Sequence, residues 1–245
     1  HQQFPVFKEL LFQKEFQFIR QFLELFDPEE GKDKRSLQGI VAILTFEKEF
    51  DSCFRLLLKE ELLSCDINTG ILRGSTPCTR LITEYLHMHH TFIDLTLSKI
   101  LAKVLRKERC SEINPYLVDD PKCIQKRTKT LLQNAQMIFK ELTKVRIPHS
   151  ISELCLWLVE ALKEAKVDVS RPEMSMGYNT YAYFAVSNTV FLHLLCPFLV
   201  NPPPELLVYK NSKRTLLMLA KLFQALANGA SFDVDWMSSA NQFLV

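Results

Sequence analysis

The residue best suited to do chemistry is Arg73, which lies in the segment GILRGSTPCT, from Gly70 to Thr79. A guanidinium is a permanent cation with a planar fork of donors, so it can stabilise negative charge on two oxygen atoms at once. Gly74 follows it and has no side chain to crowd a close approach to another backbone. Upstream, Asn68 and Gly70 favour a turn. The alternative is an ordinary loop arginine that is solvated or ion-paired.

A helix directly after this loop is expected to hold it in place. Thr76 is a good N-cap residue, and Pro77 suits the first helical turn. One turn apart, Arg80 and Glu84 are expected to pair on the outer face. The predicted buried face consists of the apolar residues Leu81, Ile82, Tyr85 and Leu86.

The rest of the chain also has a helical pattern. It contains only six glycines, and its apolar residues recur at spacings of three and four, which favours an all-α fold. No repeat of fixed period is found, so a solenoid is disfavoured. Asp27, Pro28 and Gly31 are expected to end the first helix, and Lys166–Gly177 is predicted to be a loop. The predicted helical segments are Phe4–Phe26, two stretches within Leu37–Leu63, Thr76 to beyond Leu105, Lys122–Leu142, Ile151–Ala165, Tyr178–Leu195, Ser212–Ala227 and a last one from Asp233.

Composition limits the class of protein. The 245 residues are 47% hydrophobic, enough for one large domain or two small ones. Basic and acidic residues number 30 and 28 and are interspersed, so no nucleic-acid partner is predicted. Seven cysteines without a C-x-x-C pair favour free buried thiols in a reducing, cytoplasmic setting. Without an initiating methionine, a signal segment or a long apolar run, the chain is interpreted as a piece of a longer protein.

Sequence motifs for other kinds of chemistry are weaker or absent. The run HMHH, from His87 to His90, lacks a cysteine or acid to complete a ligand set, so no metal site is predicted. No glycine-rich phosphate loop and no G-x-S-x-G is present. A nucleophilic pair of cysteine and histidine stays open, although no local signature supports it.

Three further segments have a recognisable sequence pattern, and two of them are predicted to be helical. CSEINP covers Cys110–Pro115, and FLHLLCPFLVNPP covers Phe191–Pro203 as an apolar helix stopped by proline. KRTLLMLAKLFQALANG covers Lys213–Gly229 and forms an amphipathic helix that Lys221 interrupts. The apolar stripe of that helix is Leu216, Leu219, Ala220, Phe223, Leu226 and Ala227.

Taken together and in this order, the four segments resemble the Ras GTPase-activating protein domain, the family of neurofibromin and SynGAP. The resemblance covers most of the chain and is closest in RTLLMLAKLFQALAN. It implies that residues 1–245 form one elongated, all-α domain. A shallow groove on that domain would receive the switch regions of a Ras-type GTPase.

The resemblance also implies roles for individual residues. Arg73 falls on the arginine finger, which is supplied in trans to the partner, so the chain is expected to be a GTPase activator and not a self-contained enzyme. It would need no cofactor of its own, because the partner binds GTP and Mg. The residues that would contact the GTPase are Leu72, Gly74, Thr79, Leu192, Lys221 and Asn228.

The departure that matters most is His193, which stands where the family has a second arginine that braces the finger loop. Imidazole is shorter and offers fewer donors than guanidinium. The alternative function is therefore a catalytically weak or inactive GTPase-binding module, similar to the IQGAP domains. Asn228 has an alternative interpretation as a helix C-cap, and Leu192 as a core residue.

The resemblance implies a Ras-family small GTPase in its GTP-bound form as the partner, and negative regulation of Ras signalling as the outcome. Ras, Rap and R-Ras proteins all stay open as that partner. We expect a cytoplasmic location, with recruitment to the inner face of a membrane only indirectly, through the partner or through regions outside this chain.

Overall fold

The computed structural model describes residues 3–13, 15–25, 31–64, 71–107, 112–118, 120–164 and 180–244. These residues contain α-helices and no strand, so the prediction of an all-α fold is confirmed. Outside the described residues lie the predicted turn at Asn68 and Gly70, the residues Asp27 and Pro28, and the predicted loop Lys166–Gly177.

The described residues form eleven α-helices. They are α1 (Gln3–Phe12), α2 (Gln17–Leu25), α3 (Gly31–Phe46), α4 (Phe50–Ser64), α5 (Pro77–His87), α6 (His90–Lys107), α7 (Pro121–Leu142), α8 (His149–Glu164), α9 (Thr180–Ser187), α10 (Cys196–Val200) and α11 (Ser212–Asn228). A π-helical segment, Asn188–Leu195, connects α9 to α10. Two 3-10 segments cover Pro204–Leu206 and Asp235–Phe243. None of the described helices combines the length and the apolar content needed to cross a membrane.

The chain divides into two compact units, each assembled from two separate stretches of sequence. The first unit contains His1–Met88 and His149–Thr189. The second contains His89–Pro148 and Val190–Val245. That residues 1–245 act as one domain stays a prediction.

The core of the first unit forms around α4, which packs against α3, α5 and α8. The ring of Phe50 on α4 stacks on Tyr85 of α5, with centroids 4.1 Å apart, and lies 6.2 Å from Trp157 of α8. At the edge of this contact, Arg55 donates to Glu160 at 2.7 Å. Residues about 100 positions apart therefore hold α4 and α8 together.

The core of the second unit forms around α11, which packs against α7, α10 and the last 3-10 segment. Phe223 lies at its centre, with ring centroids 6.0 Å from Phe191 and 5.8 Å from Phe243. The predicted stripe of α11 is confirmed, because five of its six residues are buried and the sixth, Leu226, is half-buried.

The long helix predicted after the Arg73 loop is two helices, because α5 ends at His87 and α6 begins at His90. The N–H of Met88 bonds to the carbonyl oxygens of Glu84 and Tyr85, both at 3.2 Å, so the last turn tightens before the break. Apolar residues continue at helical spacing through the break without glycine or proline, so periodicity alone predicts one continuous helix.

The predicted helix Phe4–Phe26 is also divided, into α1 and α2. Glu15 and Phe16 between them have φ values of 54° and 58°, a left-handed conformation that a regular helix does not contain. Gly31 begins α3, so the expectation that it ends the first helix is wrong. The segment predicted as a helix from Asp233 forms a 3-10 segment instead.

Candidate functional site

The Arg73 loop ends at a well-capped helix, as the sequence predicts. Thr76 is the N-cap of α5, and its Oγ1 accepts a hydrogen bond from the N–H of Thr79 at 3.1 Å. The N–H of Thr76 in turn donates to Oγ1 of Thr79 at 2.8 Å. With Pro77 at the first helical position, these reciprocal bonds fix where α5 begins.

Immediately before Arg73, the backbone is left-handed. Leu72 has φ of 59°, and its side chain is 0% exposed. A residue with a Cβ atom rarely adopts this conformation, which costs about 1 to 2 kcal/mol. The turn lets Ile71 and Leu72 both be buried while Arg73, the next residue, is exposed. Leu72 thus supports the loop from within the first unit, and its part in GTPase binding stays a prediction.

The residues around Arg73 include both exposed and buried candidates. Gly74 is exposed, and a Cβ atom there would meet only the Thr76 side chain at 3.6 Å, an ordinary contact. The chain itself therefore does not require glycine at this position. Thr79 is only 3% exposed, and its Oγ1 lies 2.8 Å from the carbonyl oxygen of Gly74. In this structure Thr79 supports the loop that carries Arg73.

The expected place of Glu84 on the outer face of α5 is wrong, because Glu84 is only 6% exposed. Arg80 donates from Nη1 to the carbonyl oxygen of Leu23 on α2, and from Nε to Oγ of Ser75 at 3.3 Å. Its guanidinium thereby connects the Arg73 loop to α2.

Two polar residues that contact the loop were missed in the sequence. Glu61 on α4 accepts hydrogen bonds from the N–H of Leu72 at 2.9 Å and from the hydroxyl of Thr76 at 2.6 Å. Asn188 donates from Nδ2 to the carbonyl oxygen of Ile71 at 3.0 Å. Both side chains are buried. The available signal was a polar residue within an apolar helical face, a position that requires a buried partner.

The other candidate residues lie in the second unit. Leu192 and His193 are half-buried members of the π-helical segment, in the stretch predicted as a regular helix ending at Leu195. A π-helical segment is rare in proteins overall, and where one occurs it is often at a functional site. Downstream, Sγ of Cys196 lies 3.6 Å from the carbonyl oxygen of Ala220, which joins α10 to α11.

On α11, Lys221 is exposed, so the charge that interrupts the apolar stripe reaches water. Asn228 is the last residue of the helix and is half-buried. The C-cap is Gly229, in a left-handed conformation with φ of 57°. Within the described part of the chain, Oδ1 of Asn228 is buried without a hydrogen-bond partner. The assignment of Lys221 and Asn228 as GTPase contacts stays a prediction.

An ion pair connects two of the four sequence segments inside the second unit. Arg214 of the α11 segment contacts Glu112 through two nitrogen–oxygen distances, Nε to Oε2 at 2.7 Å and Nη2 to Oε1 at 2.8 Å. Burial disfavours the Glu112 carboxylate, but the hydrogen bonds from Arg214 and from the N–H of Asn114 outweigh it. The net result is a lowered pKa for Glu112.

Arg214→Ala is expected to reduce the free energy of unfolding by about 1 to 3 kcal/mol at neutral pH, the range for hydrogen bonds to charged groups. The pKa of Glu112 is lowered on folding, so its stabilisation is present above the ordinary value of 4.5 and is lost as the pH falls below it. Denaturant unfolding at neutral pH and at a pH below 4.5 should therefore show that Arg214→Ala loses less stability in acid. Lys144→Ala, which removes the exposed pair with Glu141, is the control and should change stability by less than about 1 kcal/mol. An equal loss for Arg214→Ala at both pH values would contradict this interpretation.

The alternative chemistries gain no support from side-chain environments. All five described cysteines are free thiols, as predicted, and two of them, Cys53 and Cys78, are buried. Burial raises the pKa of Cys53 and Cys196 to about 12 and of Cys155 to about 11, which disfavours the reactive thiolate. Burial lowers the pKa of His89. Among the described residues, no group of three or more His, Cys, Asp or Glu side chains is arranged to hold a metal ion.

Comparison with known proteins finds curated relatives of this chain. No family model matches the chain. Ras GTPase-activating protein 1 of Rattus norvegicus is 24% identical over 252 aligned residues, covering 99% of this chain. Ras GTPase-activating protein gap-1 of Caenorhabditis elegans is 25% identical over 70% of the chain. The Disabled homolog 2-interacting protein of Mus musculus is 28% identical over 77% of it.

The described residues are all-helical, the three matches cover 70% to 99% of the chain, and the chain is a distant homologue of proteins with a Ras GTPase-activating domain. It spans only 23%, 27% and 16% of the length of the three relatives.

Proposed function

We propose that this chain is a GTPase-activating domain that inserts Arg73 into the nucleotide site of a GTP-bound Ras-family GTPase. The observation that carries the proposal is an exposed arginine on a loop whose neighbouring backbone is bound by buried polar side chains. A solvated loop arginine needs no such support. The order of the four sequence segments and the homology support the same function.

The chemistry explains why arginine is required at this position. Phosphoryl transfer spreads negative charge over the γ-phosphoryl group and the leaving oxygen, and leaves little covalent work for a protein. A guanidinium delivered from outside stabilises that charge in a site from which water is excluded. In this proposal the partner supplies GTP, Mg and the attacking water, and Arg73 supplies the missing cation.

Residues of the second unit are proposed to bind the GTPase. Lys221 is an exposed cation on α11, and Leu192 is an apolar residue that is partly accessible. Asn228 is half-buried at the end of α11. We assign these three residues to contacts with the switch regions. His193 takes the place of the family's second arginine, as the resemblance implies.

A second candidate function is binding of the GTP-bound GTPase without stimulation of hydrolysis. His193 favours it, because imidazole cannot present the five donors of a guanidinium. Arg73 argues against it, since a binding module has no need for a cation at the tip of this loop. The two functions differ in which nucleotide state of the partner binds most tightly.

Single-turnover GTP hydrolysis with Ras, Rap and R-Ras proteins and saturating domain tests the proposal. An activator accelerates hydrolysis of at least one of them and binds more tightly to its GDP–fluoride complex, which mimics the transition state, than to its GTP form. A binding module holds the GTP form and shows no preference for the fluoride complex. Absence of acceleration with every GTPase would refute the activator function.

His193→Arg is expected to raise the rate at saturating domain, by about 10-fold if it restores one hydrogen bond to a charged group, worth about 1.4 kcal/mol. The physical reason is that a guanidinium is permanently charged and offers five donors, whereas an imidazole offers at most two. His193→Gln, which is neutral and of intermediate length, is the matched control. A rate unchanged by arginine would mean that the loop needs no brace from this position.

The cellular setting is also part of the proposal. Negative regulation of Ras signalling follows if hydrolysis of bound GTP is stimulated. We propose a cytoplasmic location, where the domain would bind such a GTPase. Recruitment to the inner face of a membrane would be through the partner or through other regions of the protein.

A further inference from the structure

The buried carboxylate of Glu61 binds one short loop with both of its oxygens. Oε1 accepts the N–H of Leu72 at 2.9 Å, and Oε2 accepts the hydroxyl of Thr76 at 2.6 Å. Leu72 directly precedes Arg73, and Thr76 follows it by three residues. Glu61 therefore bridges the two ends of the loop that presents the guanidinium.

The surroundings of Glu61 make these bonds energetically important. Its side chain is only 6% exposed, and burial of a carboxylate is unfavourable unless hydrogen bonds compensate for it. Within the described part of the chain Glu61 forms no ion pair, so the two loop donors provide that compensation. Hydrogen bonds to an ionised acceptor are about twice as strong as neutral ones.

The bond to Leu72 acts at the most strained point of the loop. Leu72 has φ of 59°, and its N–H donates to the Glu61 carboxylate. Loss of this hydrogen bond removes a favourable interaction that offsets the cost of the left-handed conformation. Without Glu61, the loop is expected to relax to an ordinary conformation and to turn Arg73 away from its present direction.

We propose that Glu61 is the positioning residue of the finger loop, holding the Leu72–Thr76 backbone in the conformation that delivers Arg73. This role rests on the proposed function. Glu61 belongs to the same unit as the loop. The start of α5 is capped separately by Thr76 and Thr79, so removal of Glu61 affects the loop more than the helix.

Three variants of Glu61 and a matched control test this role. Glu61→Ala removes both acceptors. Glu61→Asp keeps the charge but is one methylene shorter, so it reaches one donor at most. Glu61→Gln keeps an oxygen for the N–H of Leu72 and offers an amide donor to the Thr76 hydroxyl oxygen, so it should restore most of the function. Glu84→Gln is the control, because Glu84 is equally buried at 6% and has no hydrogen bond to the loop among the described residues.

Single-turnover hydrolysis over a range of domain concentrations separates rate from affinity. For Glu61→Ala we expect the saturating rate to fall by about 100-fold, the loss caused by misplacing a catalytic group by about 1 Å. The concentration at half-saturation should change little, because exposed binding residues are untouched. Glu61→Asp should fall between the alanine and glutamine variants, and Glu84→Gln should keep the rate of the unchanged domain.

Hydrogen exchange of the Leu72 amide in the domain alone tests the same contact without any GTPase. The amide should be protected in the unchanged domain and in Glu84→Gln, and exposed to exchange in Glu61→Ala, which has no acceptor. If the unchanged domain stimulates no GTPase, the proposed function fails, and this measurement alone decides whether Glu61 holds the loop. Full protection in Glu61→Ala, or an unchanged saturating rate in Glu61→Ala, would overturn the role of Glu61.

Discussion

Arg73→Ala is expected to lower the rate of GTP hydrolysis at saturating domain by about 10³- to 10⁵-fold, the contribution known for arginine fingers of this class. The loss corresponds to about 4 to 7 kcal/mol of transition-state stabilisation. Because Arg73 is exposed, the substitution should leave the free energy of unfolding unchanged within about 0.5 kcal/mol. Single-turnover hydrolysis and denaturant unfolding of the same preparations measure the two effects.

Two further variants of exposed arginines sharpen this test. Arg73→Lys keeps the charge but not the planar fork, so most of the loss should remain. Arg35→Ala removes an exposed arginine from α3 in the same unit and should stimulate hydrolysis as well as the unchanged domain does. If Arg73→Ala and Arg35→Ala stimulated equally, Arg73 would be an ordinary loop cation, and the homologous fold would serve binding alone.

Leu72→Ala is expected to reduce the free energy of unfolding by about 2 to 5 kcal/mol, the usual loss when a fully buried leucine is truncated in a core. Leu72 is 0% exposed and lies in a left-handed conformation that alanine also disfavours. The loop should therefore lose the buried side chain that holds it to the core, while residue 72 keeps its unfavourable left-handed backbone conformation. The saturating rate of GTP hydrolysis should fall together with stability, even at a temperature where the variant is folded.

The matched control is Leu58→Ala, because Leu58 is also 0% exposed and belongs to α4 of the same unit. It should lose similar stability without a loss of saturating rate while folded. Leu72→Gly separates strain from burial, since glycine adopts positive φ freely but has no side chain to bury. Equal effects of Leu72→Ala and Leu58→Ala on the saturating rate would show that Leu72 contributes stability alone.

The sequence predicts the parts of this structure that depend on local preferences. Thr76 and Pro77 cap α5 because a hydroxyl acceptor and a fixed φ suit the start of any helix. The apolar stripe of α11 is buried because its residues share one helical face, and Lys221 at its edge reaches water. Such features require no knowledge of the neighbouring helix.

Features that depend on tertiary contacts are predicted poorly. Glu61 is eleven residues from Leu72 in sequence, and only the fold brings its carboxylate to that N–H. Glu84 has the spacing of a surface ion pair with Arg80, but packing against neighbouring helices buries it. The break between His87 and His90 has no local signal, so it too follows from packing. Homology to Ras GTPase-activating proteins supports the function, while the individual roles of the candidate residues await the experiments above.

The discontinuous make-up of the first unit has a consequence for biosynthesis. Phe50 packs on Trp157, and Arg55 pairs with Glu160. The helix α4 therefore cannot form its contacts with α8 until α8 has emerged from the ribosome. The intervening stretch, 89–148, belongs to the other unit, which itself waits for residues after 190. Contacts this distant in sequence slow folding, because loop closure must precede them. Nascent chains that end before α8 therefore expose the face of α4 that packs on it, and are the form most dependent on chaperones.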